Sequence, residues 1–447
     1  MHSLEDLSTA LLKAAKDAGA DAADTLAIEG TSLAIDVRGG ALEQAERSEG
    51  IDLGLRVFVG HRQACVSASN TSERTIAEMA ERAIAMAKEA PEDPHAGLAK
   101  PDQLAQAFDI SVLELTDPRD EPTAADLQDA ANRAEAAALA IKGVTQAQGA
   151  SAGYSHRRMH LAASNGFSAG YTRTDHSLSC VAISGEGLKM EREYDGDHRI
   201  FREDMRSAED IGTRAGERAV ARAGAKKPPT GAFPVVYDER ISSSLIGHLM
   251  SAMSGSAITR GTSWLRESMG TQVLPEALSV IENPHRPRAT GTRPFDAEGL
   301  PTQTRAFVQD GKLTSWILDL ATARKLGLAS TGNAQRGTSA PPSPGLTNLA
   351  LTQGVQSKDQ ILAEMGTGLL VTGMIGSSIN PNTGDYSRGA SGFWVENGDI
   401  AYPVNECTLA GYLRDMLLNI APANDARVHL SRVVPSLRVE GLTLAGA

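Results

Sequence analysis

Two Gly-x-Ser-x-Gly patterns stand out as possible nucleophile sites, Gly149-Ala-Ser-Ala-Gly153 and Gly166-Phe-Ser-Ala-Gly170. A nucleophile elbow holds its serine on a sharp turn with a strand before it and a helix directly after. Here Tyr154 onward and Tyr171 onward read as strand, and no helix opens. Ser151 and Ser168 are therefore expected to be small residues in turns between strands. His156 and His160 lie four apart around Arg157 and Arg158. Two arginines oppose a bound cation, so partly exposed strand histidines are expected rather than metal ligands. Cys407 sits between Glu406 and Thr408 with no histidine near it in sequence to act as base. A buried, inert thiol is the expectation.

The segment Asp385-Tyr-Ser-Arg-Gly-Ala-Ser-Gly392 mixes short polar groups with glycines. Its backbone is expected to be open to another backbone, as in strand addition by an extended peptide. Arg388 brings five fixed donors suited to a carboxylate or to peptide carbonyls. Asp385, Ser387, Arg388 and Ser391 are thus the candidate substrate-binding or partner-facing residues. An Arg388–Asp385 salt bridge that braces a turn is the competing reading.

Absences are as informative. A helical zinc peptidase needs two histidines on one helix with a neighbouring glutamate as base, and the chain has no His-Glu dipeptide. Neither GxGxxG nor GxxxxGK[ST] occurs, which leaves dinucleotide and P-loop chemistry without support. No catalytic residue, metal ligand or cofactor is therefore assigned to this chain.

The elements that would position these groups follow from periodicity. Leu4, Leu7, Leu11, Leu12 and Ala15 recur at helical spacing, and alternating strands follow around Thr25–Glu29, Ser32–Arg38 and Ile51–Val59. Helices are expected over Ser72–Glu89, Thr123–Ile141 and Ser207–Ala223, with Ser72 and the Thr123/Asp126 pair as caps. Strands return between Val144 and Gly187. The Gly- and Pro-rich stretch Gly224–Gly231 reads as a boundary. These patterns predict an α+β protein of two domains: an antiparallel sheet with flanking helices over 1–223, a linker at 224–232, and a β-rich, glycine-punctuated domain over 233–447.

With 447 residues, 41% hydrophobic and 22% charged, the chain can bury sizeable cores, and its net charge of -12 disfavours nucleic acid or anionic membranes as partners. Cys65, Cys180 and Cys407 are far apart and in no CxxC pattern, which points to reduced thiols and a cytoplasmic address. Nothing resembles a signal peptide or a spanning segment.

The second half carries the sharper signal. Phe295-Asp-Ala-Glu-Gly-Leu-Pro-Thr-Gln-Thr-Arg-Ala-Phe-Val-Gln-Asp-Gly-Lys-Leu reads as loop, strand, Asp-Gly hairpin, strand; Trp316 onward reads as a strand entering a short helix ended by Gly327. Gly368-Leu-Leu-Val-Thr-Gly, the run from Asn382 to Ile400 and the run from Tyr402 to Leu417 follow. In order and spacing these stretches, with Glu49–Asn70 and the Ser164-Asn-Gly turn, resemble the TldD/PmbA family, and within it the TldE (PmbA) branch. The resemblance covers nearly the whole chain.

That resemblance implies a metallopeptidase built from two kinds of subunit. TldD-type members carry a His-Glu-x-x-x-His helix and a later Cys that bind zinc. The equivalent helix here is Ile241–Met253. Placing the motif on Gly247, His248 and Ala252, or on His248, Leu249 and Met253, destroys the zinc site in either register. The implied role is the subunit without zinc. It pairs with a TldD-like zinc subunit, or with itself as a homodimer, and the complex cleaves unfolded or extended peptides in precursor maturation or antitoxin turnover. Zinc is expected on the partner. Two other classes compete: a non-enzymatic homodimeric binding protein or modulator of DNA gyrase, and a self-sufficient hydrolase using Cys407, Ser151 or Ser391.

Overall fold

The computed structural model describes residues 3–106 and 109–446, so the expected domain ends at 1 and 447 lie outside the described residues. Its first half is one six-stranded antiparallel sheet. In chain order it is built from α1 (Leu4–Asp17), β1 (Ala22–Arg38), β2 (Ala41–Val59), β3 (Arg62–Ala68), α2 (Glu73–Glu89), α3 (Ala124–Leu139), β4 (Val144–Ala163), β5 (Ser168–Ser184), β6 (Glu191–Arg199) and α4 (Ala208–Ala221). The spatial order is β3-β2-β1-β4-β5-β6. The two segments expected around Thr25 and Ser32 are one continuous strand, in which Gly30 pairs with Gly50 on one side and Arg157 on the other.

The helices start where polar side chains satisfy their first free N–H groups. Ser3, Ser72, Thr123 and Ser207 all cap in this way, and Asp6 and Asp126 return the bond to complete capping boxes. Strand alternation then sorts the faces. Ala23, Ala27, Leu33, Ile35 and Val37 of β1 pack under the helices, in two clusters. Leu26 and its cross-strand partner Leu161 face the other way, onto Phe167 of the β4–β5 turn and Phe295 of the second half. The sheet is thus sandwiched between its own helices and the C-terminal domain.

Periodicity gives no sign of β6, whose sequence is Glu-Arg-Glu-Tyr-Asp-Gly-Asp-His-Arg. Its buried face consists of carboxylates, and arginines replace apolar partners. Asp195 meets Arg206 at 2.7 Å and Arg218 at 2.6 Å, Asp197 meets Arg199 at 2.9 Å, and Glu193 meets Arg222 at 3.2 Å.

The second half opens with β7 (Gly231–Tyr237) and α5 (Ser243–Met253). The strands Asp399–Tyr412, Asp385–Glu396, Gly368–Ile379, β7 and Leu437–Ala445 follow one another, and the first pairs again with the last, which closes a barrel. A smaller sheet lies beside it, where Asp310 and Gly311, both at positive φ, form the expected hairpin turn between Arg305–Gln309 and Lys312–Leu313. The strand expected from Trp316 is reduced to an isolated bridge from Ile317 to Ser254, and the helix starts at Leu320. Trp316, Ile317 and Leu318 are buried without a ladder because they fill the core around α5. Among the described residues no helix is long and apolar enough to cross a membrane.

The two halves are joined by buried charge. The segment at Arg336–Thr338 lies on β2, so close that a Cβ on Gly54 would stand 2.4 Å from the Thr338 carbonyl oxygen. Arg336 is fully covered there and shares Asp24 with Arg56, its cross-strand neighbour.

Candidate functional site

Helix α5 runs through the barrel core. Leu245, Ile246, Leu249, Met250, Ala252 and Met253 are all buried, while Ser244, Gly247 and His248 are half-buried and Ser251 is exposed along one stripe of the helix. His248 is its one titratable side chain. The imidazole meets the Tyr386 ring edge to face, with centroids 5.8 Å apart, and its Nε2 has no hydrogen-bond partner among the described residues. Burial, and then the charge of Arg388, hold its pKa below the ordinary histidine value. Tyr237 donates its hydroxyl to Tyr386 at 3.3 Å, and Tyr386 in turn contacts Met374 Sδ at 3.5 Å.

This donor set does not fit zinc. A catalytic zinc takes three protein ligands, and one imidazole surrounded by leucine, methionine and tyrosine supplies one. Among the described residues no group of three or more His, Cys, Asp or Glu side chains could hold a metal ion.

The candidate residues on Asp385–Glu396 are placed differently from the expectation. This strand is internal, hydrogen-bonded to Gly368–Ile379 on one side and Asp399–Tyr412 on the other. Its backbone is therefore not open to a peptide, which corrects the strand-addition reading. The glycines serve barrel packing instead: a Cβ on Gly392 would stand 1.9 Å from the Leu370 carbonyl oxygen. The Asp385–Arg388 salt bridge does not form either, since side chains three apart on a strand point to opposite faces. Asp385 accepts from Thr383 Oγ1 at 2.5 Å, and Arg388 Nε donates to the Gly376 carbonyl at 2.8 Å. Ser387 is half-buried beside them.

Ser391 lies apart from this group, at the junction of the halves. It accepts from Arg222 Nη1 at 2.9 Å, and Arg222 also reaches Glu191 and Glu193, each at 3.2 Å. The site lines a cavity of about 820 Å³ that also borders Cys407, Met374 and Asn405. Sequence reasoning missed Arg222 and Glu193, because nothing in a single sequence links β6 to a strand two hundred residues on.

The remaining nucleophile candidates fall on strands. Ser151 lies within β4 and Ser168 opens β5, with no helix after either. Ser168 Oγ is 3.2 Å from His160 Nε2, and Ser8 Oγ occupies the other ring nitrogen at 3.0 Å, so no carboxylate orients that imidazole. Cys407 is buried with Sγ 3.1 Å from the Ala390 carbonyl oxygen, and burial pushes its thiol up to about 11. Cys180 is pushed up to about 12 for the same reason. Neither thiol is expected to react with iodoacetamide in the folded chain at about pH 8, while both should react fully after denaturation. Mass spectrometry of the two samples checks this, and rapid native alkylation of Cys407 would reopen the hydrolase reading.

Three family models cover most of the chain: PmbA/TldA metallopeptidase domain 1 over residues 23–87, the central domain over 117–223 and the C-terminal domain over 230–446. The chain is similar to metalloprotease PmbA of Escherichia coli O157:H7, at 35% identity over 99% of this chain and 96% of that one. It is equally similar to a metalloprotease PmbA homolog of Haemophilus influenzae, at 35% identity over 98% of each. Among solved structures, a Bacteroides thetaiotaomicron protein titled as a modulator of DNA gyrase superposes with a TM-score of 0.91, at 26% identity over 99% of this chain and 98% of that one. TldE of Thermococcus kodakarensis shares the fold, with a TM-score of 0.83 at 19% identity over 98% of this chain and 100% of that one.

Proposed function

This chain belongs to the PmbA/TldA metallopeptidase family, and from that premise we propose that it is the subunit of a two-chain metallopeptidase that holds no zinc of its own. Its role is to pair with a zinc-bearing chain of the same fold and complete the passage for an extended or unfolded peptide. The single observation that carries the reading is helix α5, where one imidazole, packed on a tyrosine ring, stands where a zinc would need three ligands. The rest of that helix is apolar core or serine and glycine, none of which ligates zinc.

On this reading the chain contributes shape, hydrogen bonds and charge to substrate handling, and the zinc-bound water belongs to the partner. Arg388 remains the candidate contact: its Nε holds the Gly376 carbonyl and the guanidinium also bonds the Tyr386 hydroxyl, which leaves part of its five-donor fork for a peptide.

The test is reconstitution. Cleavage of an unfolded polypeptide is expected only when this chain is mixed with a zinc-bearing family member, and a chelator should abolish it. Arg388→Ala should then reduce cleavage by the mixture by about tenfold, the worth of one charged hydrogen bond, with melting temperature and assembly unchanged. Activity of this chain alone would overturn the reading. Loss of stability in step with activity would remove Arg388 from the substrate contacts.

A further inference from the structure

Between the outer face of the N-terminal sheet and the C-terminal domain lies a second cavity, of about 610 Å³, with an unusual charge. Arg157 and Arg173 enter it from β4 and β5, Arg293 and Arg336 from the loops of the second half, and Arg432 from its far wall. In a chain of net charge -12 this is a local reversal of sign.

Two features show that the reversal is built into the fold. Arg157 and Arg173 are direct cross-strand partners, so they share one face, a placement that repulsion disfavours. Arg173 is held by Asp175 at 2.9 Å, whereas Arg157 has no ion pair or side-chain hydrogen bond among the described residues. Second, the side chains of Arg293 and Arg336 are at least nine-tenths buried, yet Arg293 Nε and Arg336 Nη2 have no hydrogen-bond acceptor among the described residues. Arg293 gives its Nη1 to the Ala334 carbonyl at 2.8 Å, and Arg336 shares Asp24 with Arg56, each taking one carboxylate oxygen. Both guanidinium groups are thus buried cations with incomplete hydrogen bonding, and an anion in the adjoining cavity would offset their charge. Asp296, also on the cavity wall, offsets part of the charge of Arg293 but takes its hydrogen bonds from the backbone of Glu298, Leu300 and Ala334.

The cavity does not end at the arginines. Past Arg157, Met159, Tyr171 and Arg173 it continues as a groove of about 490 Å³ along the same sheet face, over Ile28, Ala34 and Ser177. An anionic head with an extended, partly apolar body fits that shape. A free phosphate would use the head alone.

We propose that this cavity binds the carboxylate end of an extended peptide, with Arg157, Arg173, Arg293 and Arg336 as its cradle and the groove as the seat of the preceding residues. The identity of the ligand as a peptide rests on the metallopeptidase-subunit reading above; the anion preference rests on the arginines. The planar guanidinium fork matches a carboxylate, which makes the terminal charge the recognised feature.

Calorimetric titration of the full chain, without any partner, tests this with N-acetyl-tetra-alanine as the free acid and as its C-terminal amide. The free acid should bind about tenfold or more tightly than the amide, and raised salt should erode the difference. Arg157→Gln, a change at an exposed side chain without protein partners, should remove most of the preference, while Arg74→Gln on the exposed face of α2 should leave it intact. Equal affinity for acid and amide, binding of neither, or a preference that survives Arg157→Gln would overturn the assignment. So would inorganic phosphate that binds with the same arginine dependence while the peptide does not bind. If the acid binds as expected but no partner supports cleavage, the subunit reading fails and the carboxylate site stands. If the mixture cleaves both peptides alike and this chain binds neither, the reverse holds.

Discussion

Asp24→Ala is expected to lower the free energy of unfolding by about 3–5 kcal/mol, the largest single-residue effect at the junction of the two halves. Asp24 lies on β1 with its side chain 4% exposed, opposite Arg56 at 4% and beneath Arg336 at 0%. Removing the carboxylate leaves two buried guanidinium groups facing each other, and the Glu298 carboxyl that also acts on Arg56 is itself buried and pushed up to about 8, which makes it a poor replacement. Arg336→Ala should cost less, because Asp24 keeps Arg56 and one buried cation is withdrawn. Denaturant titration of the two variants checks the order, and a milder effect for Asp24→Ala would contradict it. The pH dependence has a definite sign. Burial alone would raise the pKa of Asp24, but Arg336 and Arg56 outweigh burial and hold it below the ordinary carboxylate value. The stabilisation is therefore present above about pH 4 and is lost as pH falls through the lowered folded value. Asp24→Asn should remove that part of the acid limb.

The second large effect concerns Arg222. Its side chain, 9% exposed, is bonded to Glu191, Glu193 and Ser391. Arg222→Ala should destabilise by about 3 kcal/mol, since Glu193 is then left buried with only Arg240, at 3.5 Å, to balance it. Ser391→Ala removes one hydrogen bond from a charged group and should cost about 1–2 kcal/mol. The pair separates two roles for Ser391. As a latch between the halves, its loss should be strongly non-additive with that of Arg222 and should leave peptide cleavage by the complex unchanged. A loss of cleavage in Ser391→Ala at constant stability would return the residue to the substrate contacts.

Much of this architecture was legible because local chemistry and tertiary packing agree. Helices α1 to α4 announce themselves through a cap followed by apolar residues at helical spacing, as at Ser3 with Leu4, Leu7 and Leu11. The barrel strands around Gly368 and Asp399 show alternation bounded by turn residues. Strand β6 was not legible, because its inward face carries Glu193, Asp195 and Asp197, and only the arginines of α4 and its flanks make burial of those charges acceptable. Periodicity of apolar residues is blind to a core made of ion pairs. The candidate site failed in a related way. Glycines at Gly389 and Gly392 suggested an open strand, but they mark close backbone approach inside the barrel wall, which leaves the same trace in sequence. The arginine cavity was invisible for a third reason: Arg157 and Arg293 meet only once the sheet and the second half are packed together.

Zinc content separates this account from its rivals most directly. After dialysis the purified chain is expected to retain far less than one zinc, by about tenfold or more, whereas its complex with a zinc-bearing family member should hold about one zinc per pair. His248→Ala should change neither value. One equivalent of zinc retained by this chain alone, and lost in His248→Ala, would contradict the account.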